Sequence, residues 1–154
     1  MSSELLLYVL LILCSILTGL IWVIQIVHYP SFHFISEKTF TQFADFHAKK
    51  ISFIVIPLMG LELIVSFLLS WSLPTQSMAW NFSLINLFLN ILIWVSTFIF
   101  SVPCHQKLRN QKQTKIINKL ILTNWYRTFL WTCRLFTLTF LIWITTWKKL
   151  KSHH

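Results

Sequence analysis

Four long apolar runs constrain this chain more than any other feature: Leu5–Val27 (23 residues), Ile51–Trp71 (21), Trp80–Val102 (23) and Ile121–Trp147 (27). Each meets the ~18–20 residues needed to cross ~30 Å of hydrocarbon as a helix. Backbone exposed to lipid must satisfy its own hydrogen bonds, and these runs are too long for barrel strands, so each run is predicted to be a helix. The connections are short enough to predict an all-α membrane protein, an antiparallel four-helix transmembrane bundle forming one four-span domain over residues 1–154. Only 11% of the residues are charged, against roughly 25% in a soluble domain, which excludes a soluble enzyme. Two glycines in the whole chain exclude the glycine-rich phosphate loops of dinucleotide and nucleotide binders.

The start, Met1-Ser2-Ser3-Glu4, has no basic segment and the first run ends in no small-residue cleavage site. That run is therefore expected to persist as a span and not as a cleaved leader. Cys14, Cys104 and Cys133 are odd in number and unclustered, which reads as packing residues without a disulfide framework.

The net charge of +9 raises the question of nucleic acid. Its distribution answers in favour of a membrane surface. Eight of the 13 basic residues lie in the first and third connections (Lys38, Lys49, Lys50, Lys107, Arg109, Lys112, Lys115 and Lys119), and three (Lys148, Lys149 and Lys151) follow the fourth run. The positive-inside bias then places segments 28–50 and 103–120 in the cytoplasm and both termini outside. The expected partner of the basic loops is anionic lipid, with no nucleic acid. Trp71, Trp80 and Trp147 are placed as an aromatic belt at the outer interface and Trp125 at the inner one.

Ser36 is positioned to cap a helix on which Phe40, Phe43 and His47 share one face. This predicts an interfacial helix before the second span and continuous with it, and Pro57 is expected to kink that span by freeing the carbonyl of Phe53. A weak internal repeat is also visible: Leu20-Ile21-Trp22-Val23 recurs as Leu92-Ile93-Trp94-Val95, 72 positions on. The same interval carries His33 onto His105 and Glu62 onto Arg134, and Pro30 onto Pro103 with one residue of slip. Two helical hairpins related by an axis along the membrane normal would give this pattern.

Ionisable groups inside a membrane are expensive and mark function by default. Three occur within the runs: Glu62, Arg127 and Arg134. At ~1.5 Å per residue, Glu62 lies ~14 Å from Trp71, Arg134 ~20 Å from Trp147 and Asn90 ~15 Å from Trp80. All three fall near mid-membrane, which predicts a buried Glu62–Arg134 pair that Asn90 completes. Such a pair acts either as a clip for helix register or as the polar floor of a cavity.

A second cluster is expected near the inner edge. His28 ends the first span, His47 precedes the second, His105 follows Pro103, and Asn124 and Arg127 begin the fourth. Asn124, Arg127, Trp131 and Arg134 share one helical face by spacing, and their polarity turns that face inward. His28, His47 and His105 suit three roles: ligands of a divalent metal, proton carriers at a quinone or substrate site, or a structural cluster facing headgroups.

The segments Ile21-Trp22-Val23-Ile24-Gln25-Ile26-Val27-His28-Tyr29-Pro30-Ser31-Phe32 and Val102-Pro103-Cys104-His105-Gln106-Lys107-Leu108, with Asn124-Trp125-Tyr126-Arg127-Thr128, Trp131 and Arg134, form a motif group with His47, Pro57, Met59 and Glu62. Together they resemble an uncharacterised family of small four-span bacterial membrane proteins, over nearly the whole chain. The arrangement is more distantly similar to the anthrone oxygenase-like family, which has an aromatic–Asn–x–x–Arg–Thr signature opening its last helix. Trp125, Asn124, Arg127 and Thr128 match that signature in shifted order, and Val102 and His105 stand where that family has asparagine. The resemblance implies a four-span fold in the bacterial plasma (inner) membrane.

Two functional readings follow. One is a membrane oxidoreductase or oxygenase-like enzyme acting on a hydrophobic small molecule. In it His28, His47 or His105 moves protons, Arg127 stabilises oxyanion charge, and Asn124, Trp125, Trp131, Glu62, Arg134 and Asn90 shape the substrate site. The cofactor would be a metal or a quinone. The other is a non-catalytic assembly subunit or lipid-binding protein in which the same residues only fix helix packing. A transporter is disfavoured, because no ladder of charges crosses the chain's spans.

Overall fold

The computed structural model describes residues 2–152, with side chains for residues 2–146. Four helical runs make up the molecule: α1 (Ser3–Phe34), α2 (Glu37–Ser72), α3 (Met78–Asn110) and α4 (Thr114–Ser152). Each is long and apolar enough to cross a membrane, and they pack as a bundle in which α1 lies against α2 and α4, and α3 against the same two. The order around the bundle is therefore α1-α2-α3-α4, with α1 diagonal to α3 and α2 diagonal to α4. We call the end bearing the α1–α2 and α3–α4 connections the basic end.

The helices are longer than the apolar runs, and two of them open on a polar cap. Ser2 Oγ accepts from the Leu5 amide (3.3 Å) and Ser77 Oγ from the Trp80 amide (3.1 Å), each meeting one of the unpaired first-turn donors. Ser36 occupies the cap position of α2, but its hydroxyl pairs with Thr39 Oγ1 (2.8 Å) and caps no amide. The predicted interfacial segment is the first part of α2, and the helix runs unbroken through Pro57. Phe40 and His47 are buried and Phe43 half-buried, packed on Phe32 and His28 of α1, so this stretch lengthens the bundle.

Between helices in lipid there is little hydrophobic drive, and close packing depends on small side chains and interhelical hydrogen bonds. The interior accordingly mixes Leu10, Leu17, Ile93 and Leu138 with the small residues Cys14, Thr18, Ser66, Ser70, Ser83 and Ser96. The large exposed apolar residues, such as Phe53, Phe88, Phe129 and Phe136, face outward. All three cysteines are free, two of them buried. Trp71 is exposed and Trp80 half-buried, while the side chain of Trp147 lies outside the described residues.

The repeat has a structural counterpart. α1 contains a five-residue π-helical turn at Ile24–His28 and α3 one at Thr97–Ser101. Each is followed by a helical segment with proline in its second position, Pro30 and Pro103. The interval here is 73, the slip seen in sequence. With the order α1-α2-α3-α4, this interval carries every helix onto the one diagonal to it. His33 and His105 do not occupy equivalent places: His33 lies in the 3₁₀ turn ending α1, where its carbonyl accepts from Lys112 Nζ (3.1 Å), and His105 lies within α3.

Candidate functional site

Two buried polar systems occupy the bundle, and Trp131 joins them. The deeper one lies at mid-bundle. Glu62 Oε1 and Arg134 Nη1 are 2.7 Å apart, with neither side chain exposed. Arg134 also donates to Asn86 Oδ1 from Nε (3.2 Å) and Nη2 (3.0 Å), and to Ser66 Oγ (3.3 Å). Asn90 Nδ2 donates to the same Ser66 Oγ (3.3 Å), and Asn86 Nδ2 donates to Thr137 Oγ1 (2.9 Å). The expected pair is thus present and Asn90 joins it through Ser66. Asn86 and Ser66, which spacing did not single out, supply much of the cage around the guanidinium. These hydrogen bonds are what allow two charges to be held without water.

The second system lies toward the basic end. Arg127 Nη2 donates to Tyr29 Oη (3.3 Å) and to Asn124 Oδ1. Asn124 Nδ2 in turn donates to Gln25 Oε1 (2.8 Å), and Gln25 Nε2 to the Ile121 carbonyl (3.3 Å). Tyr29 Oη shares a hydrogen bond with His105 Nε2 (3.0 Å), and His28 Nε2 shares one with His47 Nδ1 (2.7 Å). The His47 and His105 rings lie 5.5 Å apart between centroids. The three histidines therefore do gather, from three helices. One nitrogen of each ring is engaged in these bonds, His47 Nε2 is buried without a hydrogen-bond partner, and among the described residues no three His, Cys, Asp or Glu groups assemble as a metal set.

Asn124, Arg127, Trp131 and Arg134 are all buried, as their shared face requires. Arg127, Trp131, Tyr29 and His105 border a cleft of about 200 Å³. Its other walls are apolar or small: Ile24, Val55, Met59, Ser52, Thr97 and Trp94, among others. Ile56, Phe98 and Val102, on α2 and α3, line it and are themselves exposed, so the cleft opens sideways between these helices onto the face that lipid would cover. A cavity of 150 Å³ lined by apolar groups holds a benzene ring. This one accommodates a ring or a stretch of chain, with the remainder of a longer molecule in the lateral opening.

Not every expected site residue borders the cleft. Glu62, Arg134 and Asn90 lie in the separate deeper network, which touches the cleft's lining at Trp131, whose Nε1 donates to Glu62 Oε2 (3.4 Å). Asn124 acts behind Arg127. His28 and His47 form a pair away from the lining. Trp125 is placed elsewhere altogether: it packs edge-on against Trp22 (5.8 Å) on the outside of the α1–α4 seam, because it is one residue off the inward face. Gln25 and Tyr29 were missed as site residues. Their polarity beside the end of an apolar run was the available signal.

The cleft occupies a position that the repeat makes legible. At the α1–α4 seam, Trp22 Nε1 donates to Thr132 Oγ1 (3.1 Å), Trp22 packs on Trp125, and Gln25 bonds to Asn124. Shifted by 72 positions, Trp22, Thr132, Trp125 and Asn124 fall on Trp94, Gly60, Phe53 and Ser52 of the α3–α2 seam, and Gln25, inside the π-helical turn where the interval is 73, falls on Phe98. Gly60 offers no hydroxyl, and Trp94 Nε1 is buried without a partner. Thr97 Oγ1 donates to its own helix, at the Ile93 carbonyl (2.8 Å). At the level of the cleft one seam is closed by side-chain bonds and its counterpart is open, although Asn90–Ser66 and Arg109–Asp45 bridge that counterpart above and below. Comparison with protein-family models, with curated proteins and with solved structures finds no match for this chain.

Proposed function

We propose that this protein binds a hydrophobic small molecule from within the bilayer, in the cleft between α2 and α3. The observation that carries the reading is the meeting of Tyr29, His105 and Arg127 at one end of a laterally open apolar cleft. Apolar pockets with a few convergent polar groups are the usual form of a small-molecule site. The Tyr29–His105 hydrogen bond supplies a proton donor beside the ligand's polar end, and Arg127 supplies charge for a developing oxyanion. These are the parts an oxidoreductase or oxygenase-like enzyme acting on a quinone or other aromatic molecule would use. In the orientation expected from the positive-inside bias, this end faces the cytoplasm.

A second reading, lipid binding without chemistry, is favoured by one observation: Glu62 and Arg134 do not border the cleft and are paired with each other inside a packing network. One experiment addresses both readings. The protein is purified from membranes and small molecules are extracted and identified by mass spectrometry and absorption. Thr97→Phe, which fills the cleft at little hydrogen-bonding cost, serves as the control. A redox-active molecule retained near one per chain by the wild type and lost from the variant is the expected result. An ordinary lipid with the same pattern favours the second reading, and equal retention by both proteins, or none, removes the cleft as a site.

A further inference from the structure

We infer that the occupant of the cleft carries an ionised oxygen acid, a carboxylate or phosphate head on an apolar body, seated against Arg127. The inference rests on the reading of the cleft as a ligand site and specifies the class of molecule.

It comes from comparing two arginines two helical turns apart on one face of α4. Both are buried, Arg134 fully and Arg127 to within 6% exposure. Arg134 has a carboxylate, that of Glu62, and a cage of Asn86 and Ser66. Among the described residues Arg127 has only neutral acceptors, Tyr29 Oη and Asn124 Oδ1, and its Nε is buried without a hydrogen-bond partner. A guanidinium is not deprotonated in proteins, so it cannot escape burial by becoming neutral. Removing a cation from water without a counter-ion is among the costliest arrangements in a fold.

The chain has few acids to offer. Of its four carboxylate side chains, Glu62 is held by Arg134 and Asp45 by Lys49 and Arg109. Glu4 lies in the first turn of α1, toward the opposite end of the bundle, and Glu37 opens α2 on an exposed turn. None of them pairs with Arg127 among the described residues. The repeat shows where a partner would stand. The interval of 72 sets Glu62 across from Arg134, and it sets Val55 across from Arg127. Val55 lines the cleft. Where the deeper site has a carboxylate, the shallower site has open volume against a valine. An anionic head entering from the α2–α3 opening would supply the missing charge, and its apolar body would lie along Met59, Trp94 and Phe98.

The test uses the full-length protein in nanodiscs of zwitterionic lipid, titrated with dodecanoate, dodecyl phosphate and methyl dodecanoate, with binding read by native mass spectrometry. At least one of the two acids is expected to bind at least tenfold more tightly than the ester, and the better of the two identifies carboxylate or phosphate as the head. Arg127→Gln is expected to remove the preference, Arg127→Lys to retain it in part, and Thr97→Phe to weaken the acid. If Arg127→Gln does not fold, the acid–ester comparison and the lysine variant decide. Ester and acids binding equally, with both lost in Thr97→Phe, overturns the charge inference and leaves the cleft as a site for neutral molecules. Acid binding that ignores Thr97→Phe overturns it by placing the acid elsewhere. Failure of all three probes to bind overturns both the inference and the small-molecule reading on which it rests.

Discussion

Glu62 and Arg134 meet at 2.7 Å across the diagonal of the bundle, 72 positions apart in sequence, the interval that relates the two halves of the chain. The residues that the repeat makes equivalent are thus the ones that pair. α2 and α4 are not neighbours around the bundle, so only long side chains reaching the centre can connect them.

Breaking this pair from one side leaves a buried charge unmatched. Glu62→Gln is expected to cost about 3–5 kcal/mol, the usual penalty for removing one member of a buried pair. Glu62→Leu combined with Arg134→Leu is expected to recover part of that loss, because no uncompensated charge remains. Thermal unfolding in detergent checks both, and a Glu62→Gln protein as stable as the wild type would show that the pair is not held as described.

The Asp45 tie at the basic end is the opposite case. Lys49 Nζ and Arg109 Nη2 lie 2.6 and 2.5 Å from its carboxylate, but all three side chains are substantially exposed. Exposed ion pairs are screened by water and salt. Asp45→Asn is expected to leave the melting temperature unchanged at high salt and to lower it only slightly at low salt, measured in the same unfolding assay.

The 2.7 Å bond between His28 Nε2 and His47 Nδ1 needs one donor and one acceptor, so one of the two rings must be without its second proton while the bond exists. In the unfolded chain both rings take up a proton as pH falls through about 6.5. The unfolded state then binds more protons than the folded one, and stability is lost on that acid side and retained above it. Unfolding between pH 8 and 5 is expected to show this loss in the wild type and a smaller one in His47→Phe. Equal pH dependence in the two proteins would show that the pair does not govern it.

The closed and open seams predict different responses to small changes. Thr132→Val removes the acceptor of Trp22 and is expected to cost about 0.5–1.5 kcal/mol, the net worth of one hydrogen bond. A Cβ added at Gly60 meets nothing within 4 Å. Gly60→Ala is expected to stabilise by up to about 1 kcal/mol through helix propensity. Chemical unfolding of the two variants beside the wild type measures both.

Much of this architecture was legible because lipid imposes few solutions. Run length alone set four helices, and the rarity of charge within the runs marked Glu62, Arg127 and Arg134 as inward. Counting residues from interfacial tryptophans put Glu62, Arg134 and Asn90 at one depth, and they do belong to one network. Periodicity on α4 put Arg127 and Trp131 on the face that borders the cleft.

Partners were not legible in the same way. A helical period tells which way a side chain points but not what meets it from another helix. Asn86 and Ser66 are ordinary in their own segments and become a guanidinium cage only when α2 and α3 close on α4. Trp125 sits beside Asn124 in sequence, yet one residue of helix rotation, about 100°, turns it out onto Trp22. The sequence by itself determined the spans, the inward polar face and the doubling of the bundle, since each follows from local spacing in an apolar solvent. Only the tertiary structure decided that, at the level of the cleft, one seam closes and its counterpart stays open, because a cavity is the shortfall between facing side chains on two helices and neither helix records it alone.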